Sequence, residues 1–183
     1  MVVCGYRFSK YPGLVLSLLL IPFTDKLYGD ATELASYECA RLNIPVSDTF
    51  YNVRLACRAL YGTVLRQGQI FSFNEITNKV VRYYGLGPTV EGGHTVLRQG
   101  GGICQVSTAL YQAALRAGLE IVEQYPHSAF LPTIDYCKKG EDAAISRPYK
   151  DLKLRNNKPF DLQIEAYTRG NQTVIIKIVR KKD

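Results

Sequence analysis

The sequence predicts an α+β fold, with helices first and a mainly antiparallel sheet after them. Two observations carry this expectation. Apolar residues recur with a period near 3.6 at Phe50, Val53, Leu55, Ala56, Ala59, Leu60 and Val64, and again at Val106, Ala109, Leu110, Ala113, Ala114 and Ala117. The last third instead alternates with a period of two between turn signals, as in Leu152-Lys153-Leu154-Arg155 and Phe160-Asp161-Leu162-Gln163-Ile164-Glu165-Ala166.

Taken in order, residues 31–42 read as a short helix and 49–66 as a longer one. Gln67-Gly68-Gln69 is a turn, and 70–73 a short strand. Gly85, Gly87 and Pro88 mark a loop before Thr89-Val90, and Glu91-Gly92-Gly93 marks a second turn. A central helix starts at or next to Cys104 and ends by Gly118, a residue type suited to the position just past a helix. Strands are then expected over 119–124, 142–146, 152–155, 160–166 and 173–179, with turns at Asn156-Asn157 and Arg169-Gly170-Asn171.

The chain has 183 residues, enough for one domain with a sizeable core, placed here at 32–183, behind an N-terminal segment, 1–31. Within that segment Arg7 and Lys10 precede a nearly uniform apolar run, 13–23, and Gly29-Asp30-Ala31 offers a small-x-small cleavage site. These are the parts of a signal peptide, so the expectation is export, with a mature chain starting near Thr32. The alternative is a buried N-terminal helix and a cytoplasmic protein. The run is too short to cross a bilayer, so no transmembrane helix is expected.

Twenty-three basic and 16 acidic residues give a net charge of +7, which favours anionic partners such as an anionic envelope polymer. The charges are scattered, with clusters only at Lys138-Lys139 and Arg180-Lys181-Lys182, and no nucleic-acid-binding motif is present. Nucleic acid is therefore not an expected partner. The five cysteines, Cys4, Cys39, Cys57, Cys104 and Cys137, form no Cys-x-x-Cys pair, and there are only two histidines. No metal site and no cofactor is expected.

Chemistry concentrates at Gly100-Gly101-Gly102-Ile103-Cys104-Gln105. A thiol in the first turn of a helix meets free N–H groups and the positive end of the dipole, which favour thiolate. The glycines allow close approach to the backbone, so Gly100, Gly101, Gly102 and Gln105 are candidate substrate-binding positions, with Gln105 a candidate oxyanion donor. The competing reading of Cys104 is a buried structural thiol, and that of Gln105 a helix-surface residue. A nucleophilic cysteine needs a base, and the base an orienting group. His127, fixed at a strand boundary by Pro126, is preferred over His94 on its turn. Asp142 or Asp135 can orient it, and Asp142 is preferred. The order of helix-borne cysteine, histidine and aspartate is that of papain-like and transglutaminase-like folds.

The run from Gly100 through Tyr111 resembles the signature of VanW-like proteins. Gly68-Gln69-Ile70-Phe71-Ser72-Phe73-Asn74, Pro126-His127-Ser128, Tyr136, Gly140, Asp142-Ala143 and Leu154-Arg155-Asn156-Asn157 fit the same pattern. The resemblance implies a bacterial protein linked to the cell envelope, often exported and found beside peptidoglycan-associated modules. The family name comes from glycopeptide-resistance clusters. This chain departs from the pattern before His94, where Gly92-Gly93-His94-Thr95 is shorter than the loop of many relatives. Two functions follow as expectations: a cysteine-dependent hydrolase or acyl transferase on cell-wall peptide or a related amide, and a non-catalytic module that binds cell-wall polymer.

Overall fold

The computed structural model describes residues 32–40, 47–127, 137–170 and 173–182. The expected signal segment 1–31, Ser128, Asp135 and Tyr136 lie outside the described residues. Among those described the fold is α+β, and every strand pair is antiparallel.

The largest sheet runs β1 (Glu33–Ala40), β9 (Thr173–Arg180), β8 (Leu162–Arg169) and β2 (Thr63–Leu65) in spatial order. Helices α1 (Ser47–Leu60) and α3 (Cys104–Arg116) pack against it. Leu162, Ile164 and Ala166 of β8 and Val174, Ile176 and Ile178 of β9 join the core beneath those helices. The alternation read from 160–166 and 173–179 is the pleat that sends these side chains to one face. A second sheet joins β3 (Ile70–Ser72), β7 (Lys153–Arg155) and β6 (Glu120–Glu123) in that order. The short helix α2 (Phe73–Asn78) follows β3, capped by Ser72 Oγ, which accepts from Glu75 N at 3.0 Å. Strands β4 (Leu86–Glu91) and β5 (His94–Gln99) form a separate hairpin. Its turn uses Gly92 and Gly93, both at positive φ (57° and 83°), the backbone that a two-residue hairpin loop requires.

Three expected elements differ. The described part of 31–42 is not a helix: Glu33–Ala40 is a strand, because Ala35, Tyr37 and Cys39 alternate onto the core while β1 pairs with β9. Pairing with a full-length neighbour outweighs the helix preference of Leu, Ala and Glu. The helix expected over 49–66 stops at Leu60. Gly62 turns at φ 78°, and Thr63-Val64-Leu65 then pairs with β8. Residues 142–146 are extended without being a sheet strand, since their polar groups bond largely to side chains, as described below. At the end of α3, Gly118 N donates to Leu115 O (3.0 Å) and Leu119 N to Ala114 O (3.0 Å), closing the helix as a Schellman motif.

The glycine run has a structural task. The start of β4 and the loop after β5 cross backbone to backbone at Gly87 and Gly101. A Cβ on Gly101 would stand 2.0 Å from Gly87 O, and one on Gly102 2.2 Å from Thr49 Cγ2. Asn52 of α1, fully buried, ties the crossing. Its Nδ2 donates to Gly85 O (3.0 Å) and Gly101 O (3.1 Å), and its Oδ1 accepts from Gly85 N (2.8 Å). Gly101→Ala is therefore expected to lose on the order of 2–4 kcal/mol in urea unfolding, because backbone rather than a flexible side chain must give way. An unchanged midpoint would show that the two segments part freely.

Candidate active site

Cys104 is the first residue of α3, and its side chain is only partly buried. Its thiol approaches Ile145 O at 3.9 Å, the outer reach of a sulfur hydrogen bond. The first turn of this 13-residue helix places positive dipole charge beside that sulfur, while the N–H groups of Gln105, Val106 and Ser107 donate back to Gly102 O and Ile103 O.

His127 follows β6 and faces the same sulfur. Its backbone N–H donates to Asp142 Oδ2 at 2.7 Å, and its ring Nδ1–H donates to that same oxygen. Nδ1 is thereby occupied, leaving Nε2 for the Cys104 side chain, which also hydrogen-bonds the ring. Cys104, His127 and Asp142 are thus brought together in the order a thiol, a base and an orienting carboxylate require. The His127 side chain keeps 12% of its surface exposed and Asp142 1%, so one edge of the imidazole is open while the carboxylate is sealed.

Burial opposes a charge on His127, but the hydrogen bonds to Asp142 and Cys104 outweigh it and lift the imidazole from 6.5 to about 9. Burial likewise raises Asp142, and the donors of His127 overcome it to hold the carboxyl below its usual range. At neutral pH the pair is imidazolium and carboxylate.

Asp142 is held by its neighbours on two sides. From α3, Ser107 Oγ donates to Ala143 O (2.6 Å), Thr108 Oγ1 accepts from Ala143 N (3.1 Å), and Gln112 Nε2 donates to Glu141 O (2.6 Å). From the end of β6, Gln124 Nε2 donates to Asp142 O, and Tyr125 O accepts from Ala144 N (2.7 Å). Ser107 Oγ also lies 3.1 Å from Cys104 O within its own helical turn. The clue to these partners is that three polar residues, Gln105, Ser107 and Thr108, fall on the helix face that meets the core, where each needs a bond.

Other candidates are placed elsewhere. Gln105 is not a helix-surface residue and does not face the thiol. It is buried, with Nε2 on Cys39 O at 3.1 Å, because the 100° step of the helix turns it toward β1. The glycine backbones are approached closely, but by this chain: Gly100 by Tyr84, Gly101 by Gly87 and Gly102 by Thr49. His94 is exposed on the hairpin opposite Glu91. An open concavity of about 730 Å³ at the Gln67-Gly68-Gln69 turn and Asp161 shares no residue with the Cys104 cluster. Among the described residues, no three His, Cys, Asp or Glu side chains converge as a metal site, and no helix is long and apolar enough to cross a membrane.

A helix-borne thiol backed by a histidine–aspartate pair is the centre of this fold. The VanW-like protein family model matches residues 48–179, and the chain belongs to that family. It is 33% identical over 127 residues to the uncharacterized protein YoaR of Bacillus subtilis (strain 168), covering 68% of this chain and 41% of the relative. It is 34% identical over 119 residues to the vancomycin B-type resistance protein VanW of Enterococcus faecalis (strain ATCC 700802 / V583), covering 62% of this chain and 43% of the relative. The matches thus span about two fifths of each relative's length. No solved structure matches.

The elevated His127 sets a pH dependence. Its folded value of about 9 exceeds the unfolded value of about 6.5, so its contribution is full below about pH 6.5 and lost as pH rises through about 9. Thermal melts of the parent and His127→Gln are expected to differ most at pH 6 and to converge above pH 9. A gap that stays constant across this range would contradict the ion pair.

Proposed function

We propose that the chain is a cysteine-dependent hydrolase or acyl transferase acting on cell-wall peptide or a related amide. The observation that carries the reading is His127 held between Asp142 and Cys104. In the first step the Cys104 Sγ–H bond breaks with its proton on His127, Sγ bonds to the amide carbonyl carbon, and the positive end of the α3 dipole stabilises the negative charge that develops. The C–N bond then breaks, the departing amine takes that proton from His127, and a thioester remains. In the second step water or an acceptor amine attacks the thioester, His127 takes its proton, and the C–S bond breaks, which returns sulfur and imidazole to their starting state with one proton on His127. Asp142 keeps the ring oriented and stabilises its charged form. The chain order of the three residues parallels papain-like and transglutaminase-like enzymes.

The substrate class rests on family membership and on the vancomycin-resistance name of the Enterococcus relative. A net charge of +7 suits an anionic envelope polymer, and export belongs to the same proposal. The rival reading, a non-catalytic wall-binding module, draws on that charge and on exposed tyrosines such as Tyr149, 80% accessible.

Cys104→Ser separates the two. For an enzyme, turnover of muropeptide mixtures falls by several orders of magnitude, while wall binding and the melting curve stay near those of the parent. A serine variant with full biological activity would end the catalytic reading. Thiol reactivity gives a second check. Iodoacetamide should modify Cys104 well ahead of Cys39 and Cys57, which are buried; burial also pushes the Cys57 thiol up to about 12. His127→Ala should slow labelling of Cys104 alone, and labelling indifferent to His127 would remove the base from the mechanism.

A further inference from the structure

The Gln67-Gly68-Gln69 turn and the basic run Arg180-Lys181-Lys182 are far apart in sequence, and the large sheet brings them together. Leu65 at the end of β2 pairs with Leu162 of β8, and Leu162 pairs with Arg180 of β9. The turn that leaves β2, Asp161 ahead of β8 and Lys181 beyond β9 therefore meet at one end of the sheet. There they line the open concavity of about 730 Å³, a volume within the range of ligand sites.

Its walls are fixed by the chain itself. Every backbone N–H of the turn is engaged: Arg66 N donates to Gln69 Oε1 (3.0 Å), Gln67 N to Asp161 Oδ1 (3.0 Å), Gly68 N to Asn156 O (2.8 Å) and Gln69 N to Arg66 O (3.0 Å). Lys181 N donates to Asp161 O (2.9 Å), so Asp161 ties the two sides together. The cations are left over. Neither Arg66 nor Lys181 forms an ion pair with a described residue, although both line the same concavity as the Asp161 carboxylate. Arg180, stacked over the Phe160 ring at 4.7 Å, adds positive charge next to Lys181 in the chain. Two unpaired cations in one concave surface attract an anion. Because Gln69 Oε1 is already an acceptor, its Nε2 remains as a further donor.

We propose that this concavity binds a phosphate ester of a polyol or sugar within an anionic envelope polymer. The charged phosphate oxygens suit the Arg66 fork and the Lys181 ammonium. Asp161 Oδ2, the oxygen not bonded to Gln67, can only accept, and a hydroxyl beside the phosphate supplies the donor it needs. A polyanion without hydroxyls meets Asp161 as a like charge instead, so the carboxylate makes the site selective. The site stands on its own lining and needs no chemistry at Cys104. Only the origin of the polymer in the envelope rests on the proposed function.

Binding is measured on the full chain by equilibrium dialysis with polyglycerol phosphate. Neutral dextran, inorganic polyphosphate and polygalacturonate serve as comparisons: no charge, phosphate without hydroxyls, and carboxylate with hydroxyls. Polyglycerol phosphate is expected to bind most tightly. Arg66→Gln together with Lys181→Gln should weaken it at least tenfold, the size of a lost charge-assisted contact. Lys138→Gln with Lys139→Gln removes the same charge outside the concavity and should change binding less than twofold. Asp161→Asn keeps an acceptor for Gln67 N but removes the second carboxylate oxygen, and should narrow the preference over polyphosphate. Cys104→Ser should leave all four ligands unaffected, so loss of turnover there does not touch this result. The proposal fails if polyglycerol phosphate does not bind, if dextran, polyphosphate or polygalacturonate binds as well, or if the two double variants lose affinity equally. It fails too if Arg66→Gln with Lys181→Gln binds like the parent or if the preference ignores Asp161.

Discussion

Burying the Asp142 carboxylate is the constraint around which the rest of this structure is arranged. An isolated carboxylate at 1% exposure is untenable unless something charged or strongly donating meets it. His127 does so twice with one oxygen, through its backbone N–H and its ring. The aspartate can be brought to that position only if its own backbone is satisfied without a sheet. Helix α3 contributes Ser107, Thr108 and Gln112, and the chain after β6 contributes Gln124 and Tyr125. The polar face of α3 and the Cys104 terminus therefore belong to one device. The residues that seat Asp142 also hold the helix whose first residue carries the thiol.

Where α3 begins is decided by a steric fact of a different kind. Two backbones cross at Gly87 and Gly101 closely enough that neither tolerates a Cβ, and Asn52 locks the crossing with three hydrogen bonds. Gly100 and Gly102 turn at φ 80° and 99°, which L side chains rarely adopt. The chain is thus forced from the hairpin into the helix over the four residues 100–103, and Cys104 emerges in its first turn. The contact of the Cys104 thiol with Ile145 O depends on that starting point, and a buried knot of backbone holds it more firmly than a mobile loop would.

The period-two strands, the α3 repeat and the Gly118 stop were readable because each depends on local pattern. His127 rather than His94 meets Asp142, since proline and the end of β6 fix one while the other begins the exposed strand β5. What escaped was set by tertiary pairing. Residues 33–40 read as helix by composition, and only the neighbouring β9 makes them a strand. Gln105 and the glycines were assigned to a ligand because their internal partners, Cys39 O, Gly87, Thr49 and Tyr84, come from distant parts of the chain.

Two blocks that carry the family resemblance, 68–74 and 154–157, lie away from the thiol, and the topology explains their presence. Gly68 N donates to Asn156 O (2.8 Å), and Asn156 N to Gln69 O (3.1 Å), closing the β3–β7 pair at one end. Asp151 closes the other, accepting from Ser72 Oγ (2.6 Å) and Asn74 N (2.9 Å). Strand β7 in turn pairs with β6, with Arg155 facing both Ile70 and Glu120. The register of β3 on β7 thereby sets the register of β7 on β6, and β6 delivers His127. A slip of one residue along this relay would move the histidine about 3.3 Å and flip every side chain to the opposite face. That is enough to break its contact with Asp142 and Cys104. The distant motif thus works as a ruler that places His127, and its residue types are demanded by register.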